Sequence, residues 1–180
     1  MKVKYSKKID KEVFDEVNKM RKKLSPIFGF NFPKLSFKEK VVPVAKAIAK
    51  SVSLEEKKLK KIMKAIYGKD MPDITVYINT TPFSTWNVDK KYISVSCFRF
   101  GKFFETVCHE SNHFMYDVVF GTKKYQDNEI KETVTVLNNA FGIEDRGSWE
   151  KFSKTRKKVF DYYKRTKNFK KTLEYAKNIR

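Results

Sequence analysis

The stretch from Phe103 to Gly121 reads FFETVCHESNHFMYDVVFG, and it determines how the rest of the chain is interpreted. Its apolar residues recur every three to four positions, which predicts an amphipathic α-helix over 103–120 that Gly121 ends. We expect the apolar side of this helix to anchor it in the core and its polar side to face a cleft. On a helical wheel the polar side holds Thr106, His109, Glu110, His113, Tyr116 and Asp117.

The only two histidines of the chain lie in this helix, in the pattern HExxH at His109-Glu110-Ser111-Asn112-His113. A spacing of four residues brings both imidazoles to one face of a helix, where they can bind one metal ion. Glu110 lies one step around the helix, beside the metal, and can take a proton from a zinc-bound water whose pKa the metal lowers to roughly 7. The pattern therefore predicts a zinc site with Glu110 as general base. The alternative is two solvent-exposed histidines on a surface helix.

A catalytic zinc ion takes three protein ligands and keeps one open position. Because the sequence has no third histidine and no cysteine after the motif, we expect a carboxylate as the third ligand. The next predicted helix, at about 129–141, offers Glu129 and Glu132. On its helical wheel Glu129 lies nearer the apolar stripe, which favours Glu129 as the inward-facing carboxylate. Either residue can instead be a helix-start carboxylate that interacts with the helix dipole.

The arrangement of His109, Glu110, His113 and a following glutamate resembles the gluzincins, zinc metallopeptidases in which a glutamate on the next helix completes HExxH. Eighteen residues separate His113 from Glu132, a spacing similar to that of gluzincin aminopeptidases. The pair Asn128-Glu129 resembles instead the Asn-Glu pair of thermolysin-like enzymes. The stretch from Glu132 also looks like the glutamate helix of small HExxH proteins. The resemblance favours Glu132 as third zinc ligand, with Glu129 as the alternative.

This resemblance covers residues 92–141 and extends to the very small members called minigluzincins. It implies a zincin-like fold with an HExxH active-site helix, Zn²⁺ as cofactor and hydrolysis of a peptide or protein substrate. The same site also suits another amide, such as the bond cleaved by a deformylase. In gluzincins an edge strand beside the active-site helix pairs with extended substrate, and Tyr92–Cys97 is similarly placed. A Tyr or His often stabilises the oxyanion, so Tyr116 is the candidate here.

Hydrophobic periodicity places further helices on both sides of a short β region. A helix over 9–24 should end at Ser25-Pro26, a loop should follow over 25–36, and a helix over 37–52 has Pro43 in its first turn or at a kink. The third helix should begin at the capping box Ser53-x-x-Glu56 and stop at Gly68. The remaining predicted elements are strands over 74–78 and 92–97, a wide polar connection over 79–87, and helices over about 148–164 and 169–179.

This order of helices, a short sheet and helices predicts an α+β fold that is mostly helical with a small β-sheet. At 180 residues the chain fits one domain, 1–180. We divide it into a helical part over 1–70, a part over 71–141 with the sheet, the active-site helix and the glutamate helix, and C-terminal helices over 142–180.

The chain is strongly basic, with 40 Lys and Arg against 21 Asp and Glu and a formal net charge of +19. Such a field favours anionic partners, so nucleic acid is a candidate partner. The alternative function is therefore a basic nucleic-acid-binding protein in which HExxH is structural or incidental. The basic residues are spread along the chain, which suits the solvated faces of amphipathic helices, and Phe98-Arg99-Phe100 is only a weak aromatic-basic cluster.

The chain has two cysteines, Cys97 and Cys108, too few for a disulfide framework, which fits a reducing compartment. Charged residues follow Met1 without the apolar segment of a signal peptide, and no apolar run reaches membrane-spanning length. We therefore expect a soluble, cytoplasmic protein with no membrane span.

Overall fold

The computed structural model describes residues 1–28, 35, 37, 39–123, 126–145 and 152–179, with only the backbone over 20–28. Within these residues the chain forms seven α-helices, four strands and three 3-10 helices. The helices are α1 (Lys7–Phe28), α2 (Val42–Ser51), α3 (Glu56–Tyr67), α4 (Phe103–Phe120), α5 (Asn128–Val134), α6 (Ser153–Thr166) and α7 (Phe169–Asn178). The strands are β1 (Lys2–Tyr5), β2 (Thr75–Asn79), β3 (Thr85–Asn87) and β4 (Tyr92–Ser96), and the 3-10 helices are Glu39–Val41, Cys97–Lys102 and Thr135–Phe141.

The four strands form one mixed sheet in the order β1-β2-β4-β3. Strands β1, β2 and β4 are parallel, whereas β3 runs antiparallel to β4. The expected mostly helical α+β class with a small sheet is confirmed, and so are the strands over 74–78 and 92–97. The expectation that Tyr92–Cys97 is an edge strand is wrong. The connection after β2 folds back and adds β3 beside β4, so β4 has a neighbour on each side.

Two predicted helix ends differ from the structure. Helix α1 continues past Ser25-Pro26 to Phe28, because the missing proline N–H removes one hydrogen bond without ending the helix. The capping box at Ser53 does not form, since the N-cap of α3 is Glu55 and no side chain caps it. The Glu56 carboxylate instead forms ion pairs with the Met1 amine and with Lys60.

Other predicted boundaries hold or are refined. Pro43 lies in the first turn of α2, and Gly68 and Gly121 end α3 and α4 with positive φ angles of 67° and 65°, which glycine adopts readily. The single helix expected over 129–141 is α5 followed by a 3-10 helix. The loop predicted over 25–36 lies mostly outside the described residues, as does the first part of the helix predicted over 148–164.

Helix α4 runs through the core and packs against α3, α5, β3 and β4. From Val107 to Asp117 every residue except His109 is buried, so the polar side of the helix is enclosed as well as the apolar side. The expectation that its polar side faces an open cleft is therefore wrong for most of its length, because α5 and the 3-10 helix that follows cover it. Among the described residues, no helix has both the length and the apolarity to cross a membrane.

Candidate metal centre

Three potential ligand side chains from two helices converge in one place. On α4, His109 Nε2 and His113 Nε2 lie 3.0 Å apart, because a four-residue spacing stacks their side chains on one helix face. From α5, the Glu132 carboxylate approaches both imidazoles, with Oε2 3.6 Å from His109 Nε2 and Oε1 3.4 Å from His113 Nε2. The three residues thus form a cluster that could hold a metal ion.

The spacing of these atoms suits zinc. Nitrogen and oxygen ligands lie about 2.0–2.1 Å from zinc, so two ligands at a tetrahedral angle lie roughly 3.3 Å from each other. The two histidine nitrogens lie 3.0 Å apart, and each lies 3.4 or 3.6 Å from a different oxygen of Glu132, so each of these distances is near that value. Three protein ligands with one position left over is the pattern of catalytic zinc sites.

A hydrogen-bonded carboxylate stands behind His109. Asp145 Oδ2 lies 3.0 Å from His109 Nδ1, the ring nitrogen that points away from the cluster. Arg156 from α6 holds that carboxylate, donating from Nη2 to Asp145 Oδ1 at 2.8 Å and to the Asp145 carbonyl at 2.7 Å. Asn138 Nδ2 also donates to Asp145 Oδ2 at 3.2 Å. An Nδ1–H bonded to Asp145 leaves His109 Nε2 with its lone pair directed at the cluster.

Arg156 also contacts the helix that carries Glu132. Its Nη1 donates to the Glu132 carbonyl and to Thr135 Oγ1, so one guanidinium contacts both the helix that carries Glu132 and the residue that orients His109. The planar, always charged guanidinium suits such multiple contacts better than a lysine would. Nothing in the local sequence around Asp145 or Arg156 predicted these roles.

The charges around the cluster favour a cation. Burial lowers the pKa of His109, but the carboxylates of Asp145, Glu132 and Glu110 more than offset this and raise it to about 10. Burial raises the pKa of Glu132, yet the two neighbouring histidines lower it below its usual value. Metal binding requires the imidazoles to be unprotonated, and in that state the carboxylates of Asp145, Glu132 and Glu110 exceed the one nearby guanidinium, Arg156, so a divalent cation would neutralise the excess negative charge.

The surroundings of His113 are different. Its ring packs on Trp86 of β3, with centroids 4.6 Å apart and an interplanar angle of 31°. Trp86 Nε1 donates to Asp117 Oδ2 at 2.7 Å, and Asp117 forms an ion pair of 2.5 Å with the fully buried Lys131. Within the described part of the chain, His113 Nδ1 is buried and has no hydrogen-bond partner. Packing on Trp86 therefore orients the Nδ1 side of this imidazole, whereas its Nε2 faces His109 and Glu132.

The structure separates the two candidate third ligands. Glu132 lies with the histidines, whereas Glu129 is exposed in the first turn of α5, where a carboxylate interacts favourably with the helix dipole. The helical-wheel prediction that Glu129 faces inward is wrong. The wheel assumed one regular α-helix as far as Phe141, but the helix changes to 3-10 geometry after Val134. Within α5, the side chain of Lys131 is buried and that of Glu129 is exposed.

The other two predicted site residues are buried on α4. Glu110 is 6% exposed and close enough to His109 to contribute to its raised pKa. Tyr116 is in the core, with its ring against Phe120 and 5.8 Å from Lys131 Nζ. Burial raises the pKa of Tyr116 to about 12, with Asp127 and Asp117 adding to the effect. These contacts give Tyr116 a packing role, and an oxyanion role stays a prediction.

Two of the three side chains of the cluster are partly exposed to solvent. The side chains of His109 and Glu132 are 14% and 19% exposed, whereas that of His113 is 3% exposed. A metal ion or a narrow substrate can therefore approach from the side of His109 and Glu132.

Comparison of the chain with models of protein families, with curated proteins and with solved structures finds no match in any of the three.

Proposed function

We propose that this protein is a zinc-dependent metallopeptidase of the gluzincin type, with a zincin-like fold. The observation that carries the proposal is the convergence of His109, His113 and Glu132, at separations that suit tetrahedral zinc. Two further observations support it. An oriented carboxylate lies behind His109, and the site has an excess of negative charge for a divalent cation to neutralise.

Each residue of the cluster has one role in this proposal. His109, His113 and Glu132 hold the zinc ion, and Asp145, positioned by Arg156, fixes the tautomer and orientation of His109. When bound, zinc supplies Lewis-acid chemistry and lowers the pKa of a water in its open position to roughly 7. A substrate would reach the metal from the side of His109 and Glu132, whose side chains are partly exposed.

Glu110 acts as the general base. Glu110 follows His109 in the sequence, but its carboxylate is not one of the three groups that converge. In this proposal Glu110 is therefore not a metal ligand. From there it takes a proton from the attacking water and later returns it to the leaving amine, which is the exchange a general acid-base residue performs. Burial of Glu110 keeps this proton transfer out of bulk solvent.

The low exposure of the cluster limits the size of substrate that can reach it. A folded protein surface cannot reach ligands whose side chains are less than one fifth exposed, so we propose a short or extended peptide segment as substrate. The same geometry also suits another small amide. A screen of a short-peptide library, with formylated peptides included, identifies the substrate on which the roles can be tested.

The test compares Glu110→Gln with wild type on the substrate found by that screen. The amide keeps the size and a hydrogen bond to water but cannot accept a proton, so turnover should fall by about 10²–10⁴ while zinc content stays unchanged. The matched control is Glu174→Gln, because Glu174 is exposed on α7, a helix that carries none of the three converging residues, and turnover should stay within about twofold of wild type. Full turnover by Glu110→Gln would refute the proposed role.

A further inference from the structure

The turn between α6 and α7 concentrates positive charge. The eight residues from Lys164 to Lys171 include five basic residues and no acidic one. All five basic residues are exposed. We call the following set of residues the basic turn: Lys164, Arg165, Lys167, Lys170 and Lys171.

Helix stability does not account for this charge. Lys164 and Arg165 lie in the last turn of α6, where the helix dipole favours cations. Lys170 and Lys171, however, lie in the first turn of α7, where the dipole disfavours them and no acidic residue offsets the cost. Lys167 adopts a φ angle of 49°, in the left-handed region that glycine or asparagine occupies more easily. The sequence thus places cations where the fold alone would prefer other residues.

The cations of the basic turn are largely free to meet an external anion. Among the described residues, only Lys164 of the five forms an ion pair, and it shares Asp161 with Lys157. Contacts with rings hold three of the five in place: Lys164 Nζ lies 4.9 Å from the Phe160 centroid, Arg165 Cζ 5.8 Å from that of Tyr162 and Lys167 Nζ 5.7 Å from that of Tyr163. Four of the five positive charges, all except that of Lys164, therefore have no ion-pair partner among the described residues.

The chemistry of the surroundings points to phosphates and not to bases or lipid tails. The rings near the turn already pack on each other, with centroids 4.3 Å apart for Tyr162 and Tyr175 and 4.5 Å for Tyr163 and Phe169. They leave no free platform for base stacking. In the described part of the chain, the exposed large hydrophobic residues are Val44, Phe98 and Phe100, and none of them lies in α6 or α7. These two helices therefore present no exposed large hydrophobic residue that could insert in a membrane.

We propose that the basic turn binds the phosphodiester backbone of a nucleic acid, without reading its sequence. The closely spaced phosphates of a duplex match five cations within eight residues, and release of counterions drives such binding. This inference is independent of the metal centre. Arg156, which supports that centre, lies two turns or more before the basic turn on α6, so changes in the turn leave the zinc site intact.

The experiment measures binding of a fluorescein-labelled 20-base-pair duplex, as DNA and as RNA of the same sequence, by anisotropy at several salt concentrations. The turn variant changes all five cations of the basic turn to Gln. The control variant changes five exposed lysines outside α6 and α7 to Gln, which gives the same net charge. They are Lys8, Lys46, Lys50, Lys57 and Lys69.

We expect the turn variant to bind at least about tenfold more weakly than the control variant, and the slope of log affinity against log salt to shrink by about 3–4. A third variant, with the four turn lysines changed to Arg, should bind like wild type and guards against a folding defect in the Gln variant. Equal loss in the turn and control variants would overturn the proposal, because charge alone would then suffice. So would absence of duplex binding by wild type, or tighter binding to phosphatidylserine vesicles than to the duplex, which would assign the turn to a membrane surface.

Discussion

The two histidines of the cluster lie one turn apart on the same helix, yet the protein holds them by different means. His109 is held by a hydrogen bond from its Nδ1 to Asp145, which Arg156 secures in turn. His113 is held by the face of Trp86, and its Nδ1 has no hydrogen-bond partner among the described residues. A hydrogen bond to a carboxylate therefore orients His109 and raises its pKa, whereas packing on Trp86 orients His113.

The two imidazoles also differ in how a buried carboxylate is connected to each ring. A buried ion pair lies near each imidazole, Arg156 with Asp145 near His109 and Lys131 with Asp117 near His113. Asp145 contacts His109 directly. Asp117 instead accepts a hydrogen bond from Trp86, whose ring packs on His113. The Asp145 pair should therefore control zinc affinity, and the Asp117 pair should mainly affect stability.

The largest effect should come from the residue that contacts both histidines. Glu132→Ala removes the proposed third ligand, whose carboxylate oxygens lie within 3.6 Å of each Nε2 atom, so stoichiometric zinc binding at micromolar concentration should be lost whichever way each histidine is held. The matched control is Glu129→Ala, which removes an exposed carboxylate from the same helix and should leave zinc affinity within about threefold of wild type. Competition with a chromophoric chelator measures both. Loss of zinc by Glu129→Ala alone would move the ligand to Glu129.

A smaller effect should follow when the charged support of His109 is weakened. Asp145→Asn keeps the shape of the side chain but removes its charge, and a change of this kind next to a metal-binding histidine lowers affinity by about 10–100-fold. Since Asp145 is the main group that raises the pKa of His109, that pKa should fall below about 10 in the metal-free variant, which NMR titration of the imidazole measures. An unchanged zinc affinity together with an unchanged pKa would show that Asp145 does not act on His109.

The smallest effect on zinc should come from the packed side. Trp86→Phe keeps an aromatic ring beside His113 but removes the indole N–H that donates to Asp117. Asp117 retains Lys131, so the free energy of unfolding should fall by about 1–3 kcal/mol and zinc affinity should change by less than about threefold. Chemical denaturation and chelator competition give the two values. A loss of zinc affinity larger than that of Asp145→Asn would reverse the comparison.

The strongest local patterns were enough to predict the central helix. Apolar periodicity and Gly121 gave both ends of α4, and the HExxH spacing brought His109 and His113 together as expected. The two short strands were missed for a physical reason. β1 has four residues and β3 has three, so neither is long enough to show a pattern, and both depend on pairing with β2 or β4.

The residues behind the ligands were not predictable in the same way, because they come from segments without periodicity and meet only through the tertiary fold. Asp145 lies in an irregular stretch and Trp86 in the three-residue β3. The scarcity of arginine, six of the 40 basic residues, does not single out Arg156, because Arg165 lies on the same helix and is exposed.

The proposed metal centre is tested most directly by the zinc content of the purified protein, measured by inductively coupled plasma mass spectrometry for wild type and for the double variant His109→Ala/His113→Ala. We expect about one zinc ion per chain in wild type and none in the double variant, with the folded state of both checked by circular dichroism. Wild-type protein that takes up no zinc, or a double variant that keeps a full zinc ion, would contradict this assignment.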